Sequence, residues 1–346
     1  MTVSAGVGGQ PRGPWASTWL RMRRDRATVV AMVTLGVVLG LSLFGGAIAT
    51  RILGHNGAQP FPYAVSGSDL RPTGPLTRVY DTDQTNLDDY GNLLPPPRGT
   101  KTTLFPLGAD GVLGRDELIR LLDGGRTSLE VAIGAVIVSL LIAIPVGLVA
   151  GYYGGTTDAV VSRLTETIMA FPLLLFLVFA TAKLNPSLGG IAYSWVVPRG
   201  VVTDALLIGA FTSFYPTRLI RAQIMTLRHA EFVDAEHMIG ARDRRILGRH
   251  LLPHLVPALL VWSSFAVATN ILLEVSLSFI GAGVQASTPT WGSLLSNAWG
   301  TFYSPRSHDP TVWQTLFPTV AILITVLALN QVSEGVRRAI EPWSQR

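Results

Sequence analysis

The stretch EFVDAEHMIGARDRRILGRHLLPHLVP, residues 231–257, packs eight charged residues and three histidines between two long apolar runs. What those runs are decides the fold. A hydrocarbon core about 30 Å thick takes about 20 helical residues to cross. Six stretches are long and apolar enough, at residues 27–50, 128–152, 159–182, 201–224, 255–279 and 311–332. Isolated strands would leave backbone groups unpaired in lipid, and the ten-residue alternation of an outer-membrane barrel is absent. The sequence therefore predicts an all-α membrane protein with six transmembrane helices.

Composition agrees. Of the 346 residues 48% are hydrophobic and 14% charged, against about 25% charged in soluble domains. The net charge of +5 comes from basic residues at the ends of apolar runs. That distribution suits anionic headgroups and not nucleic acid, which asks for a basic, aromatic-interleaved stripe. The absence of cysteine excludes disulfides, thiolate metal sites and cysteine nucleophiles.

The first run follows RMRRDR and ends near Ala47-Ile48-Ala49, which resembles a signal-peptide cleavage site. It is too long for an h-region of about 7 to 15 residues, so it reads as an anchor behind a cytoplasmic tail, residues 1–26. Counting basic residues near span ends sets orientation. Sixteen of the 27 fall on the side of the N-terminus. Both termini, including residues 336–346, are expected in the cytoplasm of a multi-pass protein of the cell membrane.

Residues 51–127 then form a large extracytoplasmic insertion between helices 1 and 2. It is rich in proline, glycine and aspartate, with LLPPPRGT at residues 93–100. Its first half reads as irregular. In its second half Asp116 is expected to cap a short helix, lying along the outer membrane surface on Leu118, Leu121 and Leu122. A plain linker fits the composition equally well.

The polar stretch itself reads as a coupling loop over residues 229–252. Phe232, Ala235, Met238 and Ile239 recur on one helical face, while Glu231, Asp234 and His237 point elsewhere. Gly240 suits the left-handed residue that ends a helix. Asp243 is expected to cap a second helix running into the fifth span. The acids Glu231, Asp234 and Glu236 would face an anionic leaflet. A protein groove accepting Phe232 and Met238 suits the pattern better.

At this point the sequence resembles a family. Asp234-Ala235-Glu236, Gly240 and Leu251-Leu252-Pro253 resemble the EAA loop of bacterial ABC importer permeases. LGRDELIRLLDGGRTSL, GLVAGYYGGTTDAVVSRLTETIMAFP, EVSLSFIGAGVQASTPTWGSLL and LFPTVAILITVLALNQVSEGVRRAIEP resemble, in order, landmarks of the C-type subunit of the dipeptide/oligopeptide (peptide/nickel) permeases. The resemblance implies a permease core over residues 128–335 that moves di- or oligopeptides, with nickel chelates, glutathione or another small solute as alternatives. It also implies a homologous second permease as heterodimer partner, two ABC ATPase subunits and an extracytoplasmic substrate-binding protein. ATP and magnesium would be held by the ATPases, with no cofactor in this chain. Glu231, Phe232, Asp234, Ala235, Glu236, Met238, Ile239 and Gly240 would meet an ATPase. Two positions depart from the family pattern: Asp234 stands at its first residue and Glu236 at its second alanine.

A P-loop needs Gly-Lys-Ser/Thr, and the two lysines, Lys101 and Lys183, follow Thr100 and Ala182. The chain is therefore expected to be a transport subunit and not an enzyme. His250 and His254 have metal-compatible spacing, but the zincin glutamate is missing and no metal is assigned. Charges inside spans are costly. Arg163 and Glu166 are one turn apart and expected to form a structural ion pair, Asp158 starts the third span, and Asp204 is expected at the water interface. Glu274, with Ser276 and Ser278, is a candidate for the translocation pathway or for pairing with a companion subunit. Pro145, Pro172 and Pro216 are candidate kinks. An ion-coupled secondary transporter would need midplane acids and broken helices in both halves. An intramembrane protease would need paired catalytic groups at membrane depth, and the sequence has neither pattern.

Overall fold

The computed structural model describes residues 14–66, 71–82, 94–96, 98–111, 113–188, 200–284, 287–302 and 311–340. The extreme tails expected in the cytoplasm, residues 1–13 and 341–346, lie outside the described residues. Helix α1 (Pro14–Arg24) precedes α2 (Arg26–Gly40), which passes through a π-helical turn at Leu41–Gly45 into α3 (Gly46–Leu53). Asp25 sets the break between α1 and α2, since its side chain accepts from Ala27 N and from the Thr28 hydroxyl at 3.1 and 2.7 Å, an N-cap in the usual sense. Together 26–53 make the first apolar rod.

The second rod is one helix, α4 (Glu117–Tyr153), of 37 residues. Asp116 caps it, as expected, accepting from Leu118 N and Ile119 N at 2.8 and 3.2 Å. The separate surface helix expected on Leu118, Leu121 and Leu122 does not exist. Nothing between Asp116 and the span breaks the hydrogen-bond ladder, so cap and span belong to one element.

The expected third span is broken. Helices α5 (Gly155–Met169) and α6 (Leu173–Leu188) meet at 88°. Pro172 lacks an amide donor and keeps Phe171 out of helical geometry. The fourth apolar stretch is α7 (Val201–Thr212) followed by α8 (Phe214–Leu227). Pro216 removes the donor for Thr212 O, and the Thr212 and Ser213 hydroxyls turn back on Ile208 O and Ala210 O at 2.8 and 2.6 Å. Among the described residues four helices are long and apolar enough to cross a membrane, or five when the bent pair counts as one. Besides 26–53 and α4 they are Asp243–Phe279 and Val312–Ile340 (α13).

Helix α4 is the hub, packing on α8, α7 and Asp243–Phe279. Glycines let the rods approach, as small residues do where lipid gives no hydrophobic drive. A Cβ on Gly147 or Gly151 would lie 2.8 Å from Ile220 or Ile224 of α8, and one on Gly209 of α7 would lie 2.6 Å from Ala135 O of α4.

The expectation of an all-α chain fails between residues 55 and 116. Among the described residues three antiparallel strand pairs form there: β1 (Val65–Ser66) with β2 (Arg71–Pro72), β3 (Thr77–Tyr80) with β4 (Thr102–Phe105), and β5 (Ala109–Asp110) with β6 (Arg115–Asp116). Phe61, Ala64, Val79, Phe105 and Ala109 make a small core of their own. His55 stacks on Phe105 and sits 3.1 Å from Asp116. Buried Asp110 ties the lobe to the helices, meeting Arg120 of α4 at 2.5 Å and Asn297 of α12 (Trp291–Phe302) at 3.2 Å. The described residues of the lobe are therefore packed around that small core and do not read as the irregular linker its proline content suggests.

Candidate functional site

The polar stretch folds as expected in outline. Helix α9 (Glu231–Met238) ends where Gly240 adopts φ +77. Ala241 N reaches Glu236 O and Gly240 N reaches His237 O, both at 3.0 Å, the paired bonds of a Schellman turn. Residues 243–279 then run as one rod through α10 (Asp243–Arg245), a π-helical turn (Ile246–Leu251) and α11 (Leu252–Phe279). Asp243 does not cap it. Its carboxylate instead accepts from the hydroxyls of Tyr152 and Tyr153 at 3.1 and 3.2 Å, which pins the start of the rod to the end of α4.

Packing selects the face that α9 buries. Val233 is fully buried with Ala143 and Leu148 of α4, Ile220 and Ile224 of α8, and Ile246, Leu251 and Leu255 of the following rod. Phe232 does not point outward as expected. It is half-buried and stacks on His254 at 5.2 Å with 9° between the rings. Met238 and Ile239 are 83% and 75% exposed, and with exposed Ala235 they form an apolar tip at i, i+3 and i+4. Glu231 and Asp234 flank it in solvent.

Three histidines tether the tip from behind. Glu236 Oε1 lies 3.2 Å from His250 Nε2, His237 Nε2 lies 3.2 Å from the Tyr152 hydroxyl, and His254 carries Phe232. Glu236, the residue at the second alanine of the pattern, therefore faces its own chain. No pairing of these groups is legible in the sequence, because His250 and His254 lie across a turn and a π-helical segment that shifts their phase, and Tyr152 lies 85 residues away. Beneath them Arg221 grips Asp158 with both guanidinium arms, Nη2 to Oδ2 at 2.7 Å. Arg228 donates to Gly151 O and Tyr152 O at 3.3 Å, satisfying carbonyls left open at the end of α4. The element thus stands rigidly on α4, α8 and α11.

The other candidates lie apart. Arg163 and Glu166 pair at 3.5 Å with side chains 86% and 60% exposed, an arrangement worth little in solvent. Glu274 is fully buried inside the subunit, and the Ser278 hydroxyl donates to it at 2.7 Å. Ser278 is buried with it, and half-buried Ser276 donates to Leu272 O at 2.7 Å. Asp204, expected at the water interface, is fully buried, and neither of its carboxylate oxygens has a hydrogen-bond partner among the described residues. Its position on the face shared by Val201 and Ile208, which pack on Val131 and Leu277, is the signal that would have found it.

Comparison with known proteins bears on what such an element does. Residues 143–346 match the family model described as "Binding-protein-dependent transport system inner membrane component". The chain is 32% identical to the dipeptide transport system permease protein DppC of Alkalihalophilus pseudofirmus, over 95% of this chain and 90% of the relative. It is 29% identical to the glutathione transport system permease protein GsiD of Pectobacterium atrosepticum, over 96% and 92%. A putative peptide permease protein of Brucella ovis is 34% identical over 69% and 73%.

Proposed function

This chain belongs to the family of binding-protein-dependent transport system inner membrane components, the permeases of ABC transporters, and from that premise we propose that it is the subunit through which an ATP-driven importer takes up small peptides. The tip of Ala235, Met238 and Ile239 seats in a groove of a separate ATPase subunit. Closure of the ATPases on ATP and magnesium pushes α9, and the tethers to α4, α8 and the 243–279 rod carry the push into the bundle. A lever needs stiffness at its base, and Val233 with the three histidine contacts supplies it.

The cargo follows from what the relatives' names share. Dipeptides and glutathione are short peptides with a charged terminus at each end, and a di- or tripeptide is the substrate class we assign. The pathway lies between this chain and a homologous permease, with an extracytoplasmic binding protein delivering the peptide. Six crossings result when α5 with α6 and α7 with α8 each count once. Both termini and α9 then lie in the cytoplasm and the 55–116 lobe outside, consistent with the arginine distribution.

The observation that carries this reading is the division of α9 into a buried anchor, Val233, and an uncovered apolar tip, Met238 and Ile239. The test is uptake into proteoliposomes holding this chain, its companion permease, the ATPases and the binding protein. Labelled dipeptide and glutathione should enter only with ATP inside. Uptake that needs a sodium or proton gradient and no ATP would refute the assignment.

A further inference from the structure

We infer that the trough between α2 and α13 is a binding site for one anionic phospholipid. The trough has a volume of about 610 Å³ and runs from Arg26 to Thr34 on α2, facing residues 324–331 of α13. Ala31 and Ala328, 6% and 5% exposed, form its floor. Val30, Ile324 and Leu327 stand exposed as its walls. Two alanines facing each other on adjacent helices leave a groove because neither fills the space between the axes. From Arg26 to Thr34 the groove runs about 12 Å at about 1.5 Å per residue. One leaflet's share of the hydrocarbon core is about 15 Å, so an acyl chain lies along most of it.

The charge at one end selects the headgroup. Arg26 is the first residue of α2, so an anion beside it also meets the positive end of the helix dipole. The acids nearby are already engaged: Asp25 by Thr28, Ala27 N and Arg338, and Glu334 by Arg337 and Arg338 at 2.9 and 3.0 Å. Arg21 donates to Ala339 O and Arg23 lies 5.9 Å over the Trp19 ring. Among the described residues Arg24 and Arg26 have no protein partner. The trough therefore ends at one uncompensated guanidinium group, that of Arg26, beside an amphipathic helix, α1, whose Trp19 and Leu20 are exposed. Apolar trough, cationic mouth and interfacial tryptophan together match a phosphatidylglycerol or a cardiolipin arm, and a zwitterionic lipid, whose ammonium offsets its phosphate, would leave the Arg26 charge without a net counter-charge. The site does not depend on the transport reading.

The experiment is native mass spectrometry of the detergent-purified full chain titrated with phosphatidylglycerol and, separately, phosphatidylcholine. The wild type should retain one phosphatidylglycerol in preference to phosphatidylcholine. Arg26→Gln should weaken that preference about fivefold, the effect of one basic residue near an anionic surface, and Ala328→Phe should abolish retention by filling the floor. Arg26 is exposed, so its variant tests the idea even where the phenylalanine upsets folding. Equal retention of both lipids, or undiminished phosphatidylglycerol in Arg26→Gln, would overturn the inference. So would cross-linking of Leu327→Cys to the companion permease in the assembled transporter, which would mean that a protein helix fills the trough. The chain has no native cysteine to confuse that result.

Discussion

The sharpest consequence of the α9 geometry concerns the double variant Met238→Ala with Ile239→Ala. Complete burial of a methionine or isoleucine side chain contributes roughly 2 kcal/mol. These two are 83% and 75% exposed, so docking can still bury most of both, about 3 kcal/mol for the pair on that scale. Immobilising the flexible methionine costs about 1 kcal/mol, leaving about 2 kcal/mol, or about 30-fold in affinity for the ATPase. Because neither side chain is packed on its own chain, thermal unfolding in detergent should stay within about 0.5 kcal/mol of the wild type. The assay is biolayer interferometry of the permease pair against the purified ATPase, run beside ATP-driven uptake. Val233→Ala supplies the contrast: fully buried, it should lose about 2 kcal/mol of fold stability from two missing methyl groups and the cavity they leave. Wild-type ATPase affinity and uptake in the double variant would refute the tip assignment.

Other outcomes follow from particular contacts. Gly151→Leu must drive α4 from α8, since a Cβ there lies 2.8 Å from Arg221 O; differential scanning fluorimetry should register about 1 to 3 kcal/mol of destabilisation, while Gly36→Ala, with open space around it, should raise the melting temperature slightly. Glu274→Ala strands the buried hydroxyl of Ser278 and should cost about 1 to 3 kcal/mol, with Glu274→Gln losing less; if Glu274 served chiefly as a pathway contact, both variants would keep wild-type melting and change only uptake. The Asp25 carboxyl is held below its ordinary value of 3.8 chiefly by the Thr28 hydroxyl, with Ala27 N and Arg338 adding to it. A lowered folded value means that this contribution is present above the unfolded pKa and is lost as pH falls through the folded one. Hydrogen exchange at the start of α2 should therefore show no change attributable to Asp25 at neutral pH and a loosening only under strongly acidic conditions, and loosening around neutrality would contradict the cap.

Much of the membrane architecture was legible because a span is a local property: about 20 apolar residues in a row suffice, and no distant partner is consulted. The same holds for α9, whose start and stop lie in ten residues, and for Gly240, whose φ of +77 is what glycine tolerates. The break at Pro172 was marked as a kink, but the 88° angle depends on what α5 and α6 pack against. The strands of the 55–116 lobe were invisible. Most are two residues long, too short for alternation to register, and they persist because Phe61, Phe105 and His55 meet across the lobe.

By itself, then, the sequence determined the apolar rods, the helix–turn–helix that leads into the 243–279 rod, and the family to which they point, since each is written in contiguous residues. Only tertiary structure decided which side of α9 faces out. Phe232, Val233, Ala235, Met238 and Ile239 offer apolar groups in several directions, and the pocket of Ile220, Ile224, Leu251 and Leu255 admits Val233. Tertiary structure also buried Asp204 and turned Asp243 from a cap into a tether. Each of those outcomes depends on side chains remote in the chain, whose arrival no local pattern encodes.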